Sequence, residues 1–212
     1  MSLWKVVAAA LLAAGLAAPA FATTITFDAS ASGNPLTAPC NFVSTTPLST
    51  LYSPLGVTFS GLGANLGGSI LNQCSNFNGM SAHSGMNFLA FNGSFGETIA
   101  FASPVTEVDI YVSSVGGNNN FTLEAFNSLG GEIDATTETA DLGVWTDVSL
   151  TGGAISTVTL TDGTNNIFIA DDLTFNGSVS PAPVPEPASL LLLVTALGSA
   201  GLLRRRRKPA QG

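Results

Sequence analysis

From Thr24 onward, apolar positions recur every second residue in short runs that stop at Gly, Asn, Asp or Ser. That alternation marks half-buried strands. It predicts strands at 24–28, 56–60, 87–91, 98–101, 105–112 and 121–125, and around 132–137, 143–150, 155–161 and 166–175. Within 105–112, Val108, Ile110 and Val112 share one face, while Glu107, Asp109 and Tyr111 share the other. The stretch from Asn92 to Glu97, NGSFGE, reads as a hairpin-like turn, and Asn127–Gly131 as another turn. Residues 23–180 show no helical period. Many short strands with Gly/Asn turns and no interleaved helices predict an all-β fold, a two-sheet antiparallel jelly-roll sandwich of eight or nine strands. The segment 29–54 reads as loop.

The two ends follow a different pattern. Met1–Ala22 has a cation at Lys5, an Ala-rich apolar stretch and the small-x-small sequence Ala20-Phe21-Ala22, which predicts an export signal cut by signal peptidase before Thr23. Residues 181–189 are a Pro-rich linker, 190–203 an apolar segment and 204–212 a basic tail. At 1.5 Å per residue the apolar segment reaches only about 21 Å, short of the ~30 Å hydrocarbon core, so it predicts a transient membrane hold. Arg204, Arg205, Arg206, Arg207 and Lys208 form a stop-transfer cluster that stays cytoplasmic and leaves the body outside.

Val184-Pro185-Glu186-Pro187-Ala188-Ser189, the apolar segment and the Arg-rich end together resemble the PEP-CTERM sorting signal. The resemblance implies that an exosortase, a membrane-embedded cysteine transpeptidase, recognises Pro185-Glu186-Pro187 and processes the chain there. It implies a surface or matrix protein associated with exopolysaccharide and biofilm. The body in turn is similar to exported PEP-CTERM proteins with a galactose-binding-like sandwich. The residues that carry this are Gly56-Val57-Thr58-Phe59, Ser103-Pro104-Val105, Trp145–Leu150 and Ala170-Asp171-Asp172-Leu173-Thr174-Phe175.

Charge narrows the function. Between Thr23 and Pro181 there is no Lys or Arg, yet 13 of the 14 acids lie there. Nucleic-acid binding needs cations to displace condensed counterions, and phosphate clamps and lysine Schiff bases need them directly, so these classes are excluded. Cys40 and Cys74 are the only cysteines, and in an exported chain they predict a disulfide.

No motif names a reaction, and the expectation is a non-catalytic protein. His83, the only histidine, sits among small residues with no G-x-S-x-G near it, and reads as an exposed loop residue. Asp28 ends the first strand and Asp171-Asp172 lies in the last, where alternation sends the pair to opposite faces. Asp28 with one of the pair would suit a structural Ca²⁺; the plain alternative is a strand-end acid bonded to turn amides. Tyr111 is the candidate ligand residue because it shares a face with two acids, whereas Trp145 reads as core. A carbohydrate-binding module on the same sandwich is the rival function, with a hydrolase third.

Overall fold

The computed structural model describes residues 21–177, apart from 46, 63–65, 75–76, 78, 94 and 164–166. Most of the signal segment, the sorting motif, the apolar segment 190–203 and the basic cluster lie outside the described residues. Among the described residues, no helix is long and apolar enough to cross a membrane.

Among the described residues nine strands form: β1 (Phe21–Ile25), β2 (Val57–Gly61), β3 (Ser69–Asn72), β4 (Asn87–Asn92), β5 (Gly96–Ser114), β6 (Asn119–Phe126), β7 (Glu132–Ala140), β8 (Thr146–Asp162) and β9 (Ile167–Gly177). Every pairing between them is antiparallel. The fold is an all-β jelly-roll sandwich, as the alternation predicts. One sheet runs β3-β4-β9-β5-β8, with β1 on the β4 edge of β9; the other runs β2-β5-β8-β6-β7.

β5 and β8 serve both sheets. The first part of β5, to Ala100, pairs with β2 and with the far half of β8. After a break in register it continues from Val105 against β9 and the near half of β8. The sequence divides each of these bent strands in two, because the bends at Ala102–Pro104 and Gly152–Ala154 carry turn-like residues. The NGSFGE segment is not a hairpin. β4 pairs with β3 and β9, not with β5, so the connection carries the chain from one sheet to the other.

The main core lies between the sheets, where Ile99, Val108, Ile110, Val112, Leu123, Val158, Leu160 and Phe168 are fully buried. A second cluster, with Leu71, Phe77, Met80, Phe88 and Ile169, lies on the outer side of β3, β4 and β9. Both faces of β4 are therefore covered, which explains its unbroken apolar run Phe88–Phe91. Cys40 and Cys74 are bonded, tying the loop before β2 to the end of β3.

Candidate functional site

Beyond the second cluster, the outer face of the same sheet stays polar. Glu107, Asp109 and Tyr111 of β5 point outward because Val108, Ile110 and Val112 are fully buried. Asp147 of β8 faces Tyr111 in register, and Ser149 faces Asp109.

On the other side, β9 supplies two acids through a bulge. Asp109 pairs with Thr174 and Tyr111 with Asp171, so Asp172 and Leu173 together oppose Ile110. Asp172, one of these two opposing residues, sits at φ 49°, in the left-handed region that one class of bulge uses. This overturns the strict alternation expected of Asp171 and Asp172. The bulge turns both carboxylates to the loop before β4. Asp171 Oδ2 accepts the backbone amides of His83 (2.9 Å) and Ser84 (3.1 Å). Asp172 accepts the Ser84 hydroxyl on Oδ1 and pairs through Oδ2 with His83 Nδ1, both at 2.6 Å.

Asp28 grips the same loop further on, accepting the amides of Met86 (2.8 Å) and Asn87 (3.1 Å). The predicted first strand stops early, at Ile25. Phe27 takes φ 60°, which sends its ring into the core and its neighbour Asp28 to the loop. Asp28 and Asp171 lie close enough to act on one hydroxyl: burial first, then these two carboxylates, push Tyr52 above its ordinary range. Asp171 is itself fully buried, and that burial pushes it up to about 7, against the amide hydrogen bond from Ser84 and with the charge of Asp172 adding to the rise.

Asp28 and both members of the pair, one of which the sequence predicts to share Ca²⁺ with it, are thus brought to one loop. Their oxygens, however, face N–H and O–H donors, whereas Ca²⁺ takes six to eight oxygen ligands. Among the described residues, no three or more His, Cys, Asp or Glu converge as metal donors. As they stand, these carboxylates do not fit the ion.

His83 is the residue that sequence reasoning missed. Its ring stacks on Tyr111 with centroids 3.8 Å apart and meets Trp145 edge-on at 5.6 Å. Trp145 is half-buried rather than fully core. It packs on the second cluster and donates from Nε1 to the Ser81 carbonyl. One signal was available: a lone histidine in a body without Lys or Arg is its only potential cation. Asp147 feels it. Burial and Glu138 raise the Asp147 carboxyl while His83 pulls it back. Burial, then Glu107 and Asp147, raise Asp109. The result is an aromatic stack bordered by carboxylates on an open sheet face.

A separate cleft of about 290 Å³ lies near the disulfide, between Leu36–Pro39 and Thr45–Leu51. It is lined by neither a titratable group nor an aromatic ring, so it offers no chemistry comparable to the Tyr111 face.

Residues 183–208 match the PEP-CTERM protein-sorting motif, so the chain carries the signal of an exported surface protein. No curated protein matches the chain. Among solved structures, the body is similar to the CBM22-1 xylan-binding domain from Paenibacillus barcinonensis Xyn10C, at 14% identity and TM-score 0.44, covering 74% of this chain and 94% of that one. It is also similar to TmCBM61 in complex with beta-1,4-galactotriose, at 12% identity and TM-score 0.40, covering 63% and 100%. A family 6 carbohydrate-binding module from Clostridium cellulolyticum in complex with xylose matches at 17% identity and TM-score 0.33, covering 57% and 97%.

Proposed function

We propose that this protein is held at the cell surface through its sorting tail by an exosortase and acts there by binding a sugar polymer, such as the cell's exopolysaccharide, rather than by catalysis. The observation behind this reading is the half-buried Tyr111 on an outer sheet face, stacked by His83 and flanked by Asp109 and Asp147. Sugars present a C–H face that suits an aromatic ring and a rim of hydroxyl donors that suits carboxylate acceptors. A triad is absent here: Ser84 donates to Asp172, not to His83, so the Ser–His–Asp order of a hydrolase is not made.

The test is electrophoresis of the full chain through gels holding soluble polysaccharides. Retardation by at least one polymer is expected, with Tyr111→Ala or Asp147→Asn weakening it about tenfold. Equal retardation of wild type and both variants would remove this face from the function.

A further inference from the structure

The outer face of the other sheet holds a groove with the opposite electrostatic character. Where β5 passes between the sheets, Ala100 pairs with Thr157 and the next pair is Val105 with Ile155. The four residues Phe101–Pro104 therefore oppose Ser156 alone, and Ala102, Ser103 and Pro104 arch into solvent. The turn Asn127–Gly131 between β6 and β7 lies across the groove, with Gly130 at φ 77°. Between arch and turn, the row Ala100–Thr157–Phe126 crosses three strands. This open groove holds about 580 Å³, within the range of about 300–1,000 Å³ usual for small-ligand sites.

Its lining sets it apart. Phe126 is turned outward and half-buried because Leu123 and Ala125 are fully buried. Around it stand Ser128, Ser156, Thr157 and Asn127, with no charged side chain in the lining. The Asn127 Oδ1 accepts the turn amides of Leu129 and Gly131, while its Nδ2 makes no hydrogen bond among the described residues. The nearest acids on this face are Glu132, which faces Phe126 in register from β7, and Glu124, which accepts the Thr159 hydroxyl; neither lines the groove. In a body with thirteen acids and no Lys or Arg, an uncharged cavity of this size is a selective feature. A polyanion meets no cation here and is repelled by the body. A polycation is drawn instead to the Tyr111 face. An apolar partner would meet Phe126 with Ala100, Phe101, Ala102 and Pro104, but it would cover the Asn127 amide and the hydroxyls of Ser128, Ser156 and Thr157 without bonding them.

We propose that this groove binds a segment of an uncharged, hydroxyl-rich polymer, a neutral polysaccharide. Phe126 underlies a sugar's C–H face, and the hydroxyls of Ser156 and Thr157 and the amide of Asn127 exchange hydrogen bonds with its hydroxyls. The main core separates this groove from Tyr111, so the two faces bind independently.

The experiment repeats the gel retardation with the full chain in neutral xylan, galactan, mannan and β-glucan, and in anionic polygalacturonate. Phe126→Ala and Thr157→Val are made in the wild type and in the Tyr111→Ala background. Thr157→Val keeps shape and strand preference while deleting one hydroxyl, so it guards against a folding artefact. At least one neutral polymer is expected to retard the Tyr111→Ala chain. In that background Phe126→Ala should weaken retardation at least tenfold, and Thr157→Val about fivefold, the effect of one hydrogen bond. Loss of all neutral retardation in Tyr111→Ala would overturn the groove, as would indifference to both groove variants. Polygalacturonate binding as tightly as the neutral polymers would overturn its selectivity. If Tyr111→Ala changes nothing while the groove variants abolish retardation, the Tyr111 reading falls and the groove stands.

Discussion

Glu97 occupies a position where the alternation of β5 calls for an apolar side chain, on the inward face it shares with Ile99 and Phe101. It is fully buried. Its Oε2 accepts the Gly68 amide at 2.7 Å, and its Oε1 has no hydrogen-bond partner among the described residues. Gly67 must be glycine beside it, because its φ is 80° and an added Cβ would lie 2.5 Å from Oε2. Burial pushes Glu97 up to about 8, against the amides of Gly68 and Ser60. A folded-state value above the ordinary 4.5 means that the folded protein holds the proton more tightly than the unfolded chain. The resulting stability is complete below about pH 4.5 and is lost as pH rises through about 8. Denaturant unfolding from pH 5 to 9 should therefore show wild type losing a few kcal/mol, roughly, toward the alkaline end. Glu97→Gln, neutral at every pH, should keep only the loss up to about pH 7 that Asp171 causes. An unchanged alkaline slope in that variant would contradict the assignment. Calcium is tested alongside. Melting in EDTA, Ca²⁺ and equal Mg²⁺ should show similar shifts for the two ions if they only screen the acidic surface. A larger Ca²⁺ shift, lost in Asp28→Ala, would instead place the ion among Asp28, Asp171 and Asp172.

Among the elements, the loop from Asp28 to Val57 has the least regular structure. It contains two short 3₁₀ turns, Phe42–Ser44 and Ser53–Leu55, and a bridge between Ala29 and Pro35. The disulfide, with a sequence separation of 34, closes the chain around the second part of this loop, β2 and β3. In the chain-entropy model a loop of that length is worth about 4 kcal/mol. Cys40→Ser with Cys74→Ser should lower the melting temperature clearly and leave the Tyr111 stack in place, since β5, β8 and β9 are bound mainly to one another. Thiol titration of the unfolded, unreduced protein should find no free thiol. β3 escapes sequence reading for a physical reason. Ser69–Asn72 is four residues long, too short to establish a period, and becomes a strand because β4 offers it an edge. The same limit applies to β5 and β8, whose bends look like strand ends until both halves are seen paired with the same neighbour.

For the whole molecule, the sequence holds two parts, a sorting motif over residues 183–208 and a β-sandwich body. Mass spectrometry of the protein from its native host should find no peptide from Leu190–Gly212 on the mature surface form. Recovery of intact Arg204–Arg207 on most molecules would mark a permanent anchor instead. The sorting signal is legible in sequence because it is a linear string: a Pro-rich motif, an apolar run, then charge. The all-β class is legible too, since burial on one face of a strand imposes period two on the residues themselves. The candidate sites depend on placement. His83 meets Tyr111, 28 positions away, only because the β9 bulge at Asp172 aims two carboxylates at one loop. The Phe126 groove exists because β5 carries four residues past one residue of β8. Neither bulge leaves a periodic mark, because each is a local excess of chain fixed by register with strands far away in sequence. The order of apolar and polar residues therefore determined which faces are buried, and the tertiary register decided which polar residues meet on the faces that remain.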